Sequence, residues 1–143
     1  RRRALGDSVR QAHAVMQLQE EEVVLSGGQA GLLLTRSDEG SQGAIHYRWM
    51  GWSALEQRWL EANVPARFNG VLEGADDVLL LVDGEELAIP EYSEKLNPQI
   101  VVFASGEVTD FELQLTVEAD GAVDAWELRG GFDGFELDGG DEH

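Results

Sequence analysis

Three tryptophans in one short stretch are the side chains that most directly indicate a bound ligand. Trp49, Trp52 and Trp59, with Tyr47 beside them, could form an aromatic platform on which sugar rings stack. Such clusters more often close the edge of a hydrophobic core, because each aromatic ring buries a large area. A carbohydrate-binding β-sandwich that uses these tryptophans is therefore one interpretation, and core packing is the more common one.

The many acidic side chains do not indicate acid–base catalysis. With 28 Asp and Glu residues, a pair at the separation found in glycosidases could arise by chance. None is isolated within an apolar run, and Asp76-Asp77 and Glu85-Glu86 are typical of solvated turns. Ser105 lies in the sequence Ser-Gly-Glu rather than in the G-x-S-x-G context of a serine nucleophile. We therefore predict no catalytic residue and no enzymatic activity.

Metal ligands are also sparse. The chain has no cysteine, and its histidines lack the paired spacing of a zinc site. They are His13, His46 and His143. Asp133, Asp138 and Asp141, among several glycines, could offer oxygen ligands to calcium, but they do not form the ladder of an EF-hand. We predict no metal site and no cofactor, and leave a weak calcium site in this tail as an alternative.

The net charge of −18 is unevenly distributed along the 143 residues. Residues 1–67 hold eight acidic and eight basic side chains, whereas residues 68–143 hold twenty acidic ones against Lys95 and Arg129. A field of this sign repels phosphate backbones and anionic lipids, which argues against nucleic acid as a partner. No run of about 18 apolar residues is present, so the sequence itself predicts no membrane span.

The first 25 residues carry the pattern of one amphipathic helix. Apolar residues recur at steps of three and four and are interrupted by a single glutamine. The positions are Leu5, Val9, Ala12, Met16, Gln19 and Val23. Gly27-Gly28 predicts the end of this helix. We expect the stripe to pack on a sheet, on a partner, or on both.

Strand-like runs follow from residue 30 to the end of the chain. We predict strands at residues 30–35, 44–50, 67–72, 78–82, 85–89 and 122–129. Asp83-Gly84 and Asp120-Gly121 favour tight turns between neighbouring strands. Residues 51–75 are harder to assign: apart from the strand at 67–72, the helical spacing of Trp52, Leu55 and Trp59 favours a short helix or an irregular loop.

The stretch from residue 98 to residue 116 organises the predicted sheet. Ile100–Phe103 is apolar throughout, Gly106 provides a break, and residues 111–118 alternate between apolar and polar. We predict that these two runs form the central hairpin of an antiparallel sheet. The whole pattern predicts an α+β fold in one domain, with the helix (residues 1–26) packed on a β-rich part (residues 30–143) of two sandwich-like sheets.

The same stretch resembles the C-terminal part of H-type minor pseudopilins of type II secretion systems. The shared residues are Pro98, Phe103, Ser105, Gly106, Glu107, Thr109 and Phe111. The order of a helix, a Gly-containing turn and a hairpin is also similar to that family. The resemblance implies a pilin-like fold and a structural subunit that helps assemble the tip of the pseudopilus, which serves the export of folded proteins across the outer membrane.

Further expectations follow from this resemblance. It implies that residues 1–26 are the second half of a pilin helix, preceded by an apolar half that anchors the protein in the inner membrane and leaves this domain in the periplasm. Other minor pseudopilins, the major pseudopilin and secreted cargo are the implied partners. The implied partner interface is the helix stripe at Leu5, Val9, Ala12 and Met16. A type IV minor pilin remains an alternative.

Overall fold

One long helix and ten strands form the regular structure of residues 2–37 and 44–140, which the computed structural model describes. The helix α1 is Arg2–Ser26. The strands are β1 (Ala30–Ser37), β2 (Ala44–Ser53), β3 (Arg58–Glu61), β4 (Gly70–Leu72), β5 (Asp77–Val82), β6 (Glu85–Leu87), β7 (Ile100–Val102), β8 (Phe111–Ala119), β9 (Ala122–Gly131) and β10 (Gly134–Gly139). A single 3₁₀ turn, Ala66–Phe68, precedes β4.

Helix α1 matches its predicted length. Its six predicted stripe positions, Gln19 included, are all buried. The helix ends where Gly27 takes a φ of +77° and its backbone N–H donates to the carbonyl of Val23 (2.9 Å). Glycine reaches this left-handed conformation without the steric penalty that a Cβ brings, so it stops the helix here.

The strands form two antiparallel, five-stranded sheets. The first sheet has the order β3-β2-β1-β7, and β4 also pairs with β2. The second has the order β10-β9-β8-β5-β6. One hydrophobic core contains side chains from α1 and from both sheets, so the helix is the element on which both sheets pack. The predicted α+β fold with two sheets is confirmed.

The predicted central hairpin is wrong, because its two strands belong to different sheets. Strand β7 pairs with β1 in the first sheet, and β8 lies between β5 and β9 in the second. An isolated bridge from Val102 to Val108 and the hydrogen bonds around it close the crossover between the two runs, but β7 and β8 themselves do not pair. Strand β8 alternates between apolar and polar side chains, and it pairs in the second sheet with its polar side chains on the outer face. The apolar run instead completes the edge of β1, where Ile100 and Val102 are fully buried.

The ambiguous segment after residue 50 is a hairpin and not a helix. Strand β2 continues to Ser53, and β3 returns beside it with Trp59 opposite Trp52. Gln57 takes a φ of +57° in the connecting turn. The helical spacing of Trp52 and Trp59 therefore does not reflect a helix. It results from the short turn that places the two residues opposite one another on neighbouring strands, where their ring centroids lie 5.7 Å apart.

The Gly- and Asp-rich tail forms an ordered strand as far as it is described. Strand β10 pairs with β9 along its length, and Phe135 is buried against Trp49 and Phe111. The carboxylate of Glu20 on α1 accepts a hydrogen bond from the backbone N–H of Phe135 (3.2 Å). This contact ties the helix to the edge of the second sheet.

Candidate interaction surfaces

The apolar stripe of α1 lies in the core and not on the surface. Leu5, Val9 and Ala12 are fully buried and Met16 is 1% exposed. The helix packs on β4 of the first sheet and on β8, β9 and β10 of the second. The chain's own sheets cover these four side chains, so within this domain the stripe predicted as a partner interface faces the core. A partner that leaves this packing intact must contact other surfaces of α1.

Exposed apolar side chains on α1 are concentrated in its C-terminal half. Leu18 and Leu25 border a groove of about 380 Å³ between the helix and residues 63–68. Val24 is 46% exposed and lies beside the turn at Gly106, where a side chain would stand 3.5 Å from its Cγ2. This end of the helix therefore offers an apolar surface next to the pseudopilin-like motif.

Four of the motif residues form the turn that takes the chain from the first sheet toward the second. Gly106 has a φ of +91°, and its N–H donates to the carbonyl of Phe103 (2.8 Å). The Phe103 N–H donates to the carbonyl of Glu107 (2.9 Å), and the Ser105 hydroxyl accepts from the Glu107 N–H (3.2 Å). Ser105 thus has a structural role in the turn, as its context in the sequence indicates.

The remaining motif residues fix the ends of this crossover. The Thr109 hydroxyl accepts a hydrogen bond from the Val101 N–H (2.9 Å), and the Thr109 N–H donates to the Val101 carbonyl (3.0 Å). Phe111 enters the core at the start of β8. Pro98 packs directly on Gly31, where no side chain would fit. The motif therefore marks the connection between the two sheets rather than a chemical site.

The three tryptophans do not form a common platform. Trp49 is 1% exposed, its indole N–H donates to the carbonyl of Phe68 (2.9 Å), and its ring packs in the core. Trp52 and Trp59 lie on the other face of the first sheet, because side chains alternate along a strand. A sugar-stacking surface that uses all three rings is therefore not present, and the carbohydrate-binding interpretation is not favoured.

A strap of residues 88–99 covers the part of the β1 edge that β7 leaves open. The Gln99 side chain accepts a hydrogen bond from the N–H of Leu34 (2.9 Å) and donates one to its carbonyl (2.8 Å). The amide thus makes the two hydrogen bonds that the backbone of a neighbouring strand would otherwise make. The Arg48 guanidinium lies over the Tyr92 ring at 4.2 Å. Between this strap and β3 runs a groove of about 600 Å³, with Trp59 on its wall.

The outer face of the second sheet is acidic and has one cation at its centre. Arg129 pairs with Glu127 and Glu136, at 3.2 Å each, and with Asp138. The hydrogen bond that Arg129 donates to the Asp138 carboxylate is the main cause of a raised pKa of Arg129, and the charges of Asp138, Glu136 and Glu127 contribute. In the first sheet, burial raises the pKa of Tyr47.

The described residues hold no group of three or more metal-binding side chains. Asp133 lies in the β9–β10 turn and Asp138 lies five residues along β10, which places them about 17 Å apart along the strand. The third calcium candidate, Asp141, and His143 lie outside the described residues. His13 and His46 are on α1 and β2. Across residues 2–37 and 44–140, no helix has the length and apolarity that a membrane crossing needs.

Two solved structures of the minor pseudopilin EpsH from the type II secretion system of Vibrio cholerae share this fold. The first is a crystal structure with a TM-score of 0.70 and 19% sequence identity, and the alignment covers 99% of this chain and 98% of that one. The second has a TM-score of 0.68 and 19% identity, with 98% and 99% covered. No protein-family model and no curated protein matches the chain. The pilin-like fold implied by the resemblance is confirmed.

Proposed function

We propose that this chain is the globular domain of an H-type minor pseudopilin of a type II secretion system. The observation that carries the proposal is the similarity to EpsH over nearly the full length of both chains. The motif at residues 98–111 supports it independently, because it was apparent in the sequence and forms the crossover between the two sheets. The chain would serve as a structural subunit and not as an enzyme.

The resemblance to pseudopilins extends this proposal to a membrane-anchored protein. An apolar helical segment before Arg1 would continue α1 into the inner membrane, and the domain would then lie in the periplasm. The 25 residues of α1 rise about 37 Å, so the two ends of the helix mark two distinct ends of the domain. The N-terminal end would face the membrane, and the end at Ser26 would point away from it into the periplasm.

The partners in this role would be the other minor pseudopilins of the tip and the major pseudopilin, with secreted cargo as a further class. Because the stripe of α1 is buried in the domain, we propose that the soluble domain contacts these subunits through its surface at the two helix ends and on the sheets. The apolar segment ahead of Arg1 would supply the helix–helix packing inside the filament.

The decisive experiment is a binding measurement with purified soluble domains. The domain is titrated by calorimetry against the soluble domains of the pseudopilins encoded beside it, and each of those is titrated against the others as a positive control. We expect saturable binding to at least one minor pseudopilin. An oligosaccharide panel, monitored by tryptophan fluorescence, tests the carbohydrate-binding alternative in parallel.

A second arm tests the function in cells. The full-length gene is deleted in the source bacterium, and secretion of a type II substrate is measured with and without a plasmid copy. Loss of secretion with intact substrate left in the periplasm supports the proposal. Normal secretion in the deletion strain, together with no binding to any pseudopilin domain, would overturn it.

A further inference from the structure

A groove of about 580 Å³ lies where the crossover between the sheets passes the β9–β10 turn. Phe103 and Phe132 line it, and both rings are exposed to solvent, at 43% and 84%. Backbone hydrogen bonds hold this region in place, since the Val108 N–H donates to the Gly131 carbonyl (2.9 Å) and the Asp83 N–H donates to the Asp110 carbonyl (2.8 Å). The groove is therefore built on ordered backbone.

The charge around this groove has a single sign. Asp83, Glu107 and Asp110 line it beside the two phenylalanines. Within the described part of the chain, no cationic side chain forms an ion pair with any of these three carboxylates. An aromatic face attracts a cation through its negative π-cloud, and the carboxylates add a direct Coulombic attraction. The groove therefore has the chemistry that suits a lysine or arginine side chain.

A second copy of this chain is a poor occupant. Each copy carries a net charge of −18, so two copies repel one another at ordinary ionic strength. A partner with a basic surface is attracted by the same field. The exposed phenylalanines also favour a protein occupant over a free ion, because apolar rings gain from burial against another surface.

We propose that this groove, which we call the Phe103–Phe132 groove, receives a lysine or arginine side chain from a neighbouring pseudopilin subunit. This inference rests on the proposed function, which supplies the class of partner. Val24 of α1 adjoins the turn at Gly106, so the groove lies at the C-terminal end of the helix. In an assembly anchored by the N-terminal end, that position points away from the membrane and is accessible to a neighbouring subunit.

The test uses the soluble domain with substitutions in the groove and matched substitutions elsewhere. Phe132→Ser and Glu107→Lys change the aromatic wall and the charge of the groove. Val123→Ser and Glu118→Lys make the same kinds of change at exposed positions at the far end of β8 and β9. All four side chains are exposed, so each variant should fold, and an unchanged midpoint of thermal unfolding verifies this.

Calorimetric titration against the pseudopilin domain that binds the wild type gives the readout. We expect each groove variant to raise Kd by about tenfold or more and each control to change it by less than about twofold. Salt should weaken wild-type binding more than it weakens binding of Glu107→Lys, because that variant has lost part of the electrostatic attraction.

The failures of the two proposals are distinguishable. If the wild type binds a pseudopilin and the groove variants bind as tightly as the controls, the groove is not the interface and the proposed function stands. If the wild type binds none of them while they bind one another, the proposed function fails and the groove assignment fails with it. Self-association that Phe132→Ser abolishes in sedimentation equilibrium would overturn the choice of partner.

Discussion

Tyr47 packs so closely on the backbone of Gly70 that a single methyl group would not fit between them. A Cβ at position 70 would lie 2.5 Å from the Tyr47 hydroxyl oxygen and 2.7 Å from Cζ. Tyr47 is 2% exposed, so its ring lies in the core. We predict that Gly70→Ala lowers the free energy of unfolding by about 1–3 kcal/mol, the usual cost of overpacking, as measured by urea titration.

Gly51 in the same sheet provides the control for this prediction. A Cβ built there meets no atom within 4 Å, and its φ is not in the left-handed region. Gly51→Ala should therefore be neutral or stabilise the fold by up to about 1 kcal/mol, through the unfolded chain. Equal destabilisation by the two variants would contradict the steric explanation.

The buried phenol of Tyr47 also predicts a dependence on alkaline pH. Burial raises its pKa above the ordinary value of 10.0, so the unfolded chain loses this proton at a lower pH than the folded one. The contribution of Tyr47 to stability is thus complete below pH 10 and declines as the pH rises above it. Urea titrations at increasing pH should show wild type losing stability relative to Tyr47→Phe only in this alkaline range. A constant difference between the two would refute the assignment.

At the scale of elements, the sequence patterns predicted the features that depend on neighbouring residues and missed the pairing of strands that are distant along the chain. The helix, its glycine stop and the Asp83-Gly84 and Asp120-Gly121 turns depend on neighbouring residues, and all are confirmed. The pairing of β7 with β1 joins residues about 70 positions apart. An apolar run has no register of its own, so the sequence could not assign it to the first sheet.

The hydrogen bond at the Thr109 hydroxyl can be removed to measure how much it stabilises the crossover between the two sheets. It accepts the hydrogen bond of the Val101 N–H at 2.9 Å, in place of a ladder partner. Thr109→Val keeps the shape of the side chain and leaves this donor unsatisfied, so we predict a loss of about 1 kcal/mol and faster hydrogen exchange at Val101. Thr116→Val, on the outer face of β8, should change neither quantity. Unchanged exchange at Val101 in Thr109→Val would show that the hydroxyl is dispensable.

Arg129 reduces the repulsion between the carboxylates on the outer face of the second sheet. Three carboxylates surround this guanidinium. Arg129→Met leaves them to repel one another, and we predict a loss of about 1 kcal/mol at low salt, measured by thermal unfolding. Added salt should reduce the loss, since it screens exposed charges. Arg58→Met, which removes a pair with only Glu56, is the control. A loss that salt does not change would indicate packing and not charge.

At the scale of the whole molecule, burial decides which surfaces can interact. An amphipathic stripe looks the same in sequence whether it meets its own sheets or another subunit, so the interface predicted on α1 could not be separated from the core. The Phe103–Phe132 groove could not be predicted from the sequence, because it forms only when separate segments of the chain come together. Its walls come from the crossover and from the β9–β10 turn, about 25 residues apart, and neither segment alone has an interface pattern.

A substitution at Met16 tests whether α1 packs on the sheets, because this side chain lies in the core that α1 shares with both of them. Met16→Glu would bury an unpaired charge at a site that is 1% exposed. We predict a loss of about 3–5 kcal/mol or more, a large part of the total stability of an ordinary domain, so that cooperative unfolding is weakened or lost in circular dichroism. Gln17→Glu, one residue away on the exposed face, should change stability by less than about 0.5 kcal/mol. If both variants unfold at the same temperature, α1 does not pack on the sheets in solution. Its stripe would then be available to a partner subunit.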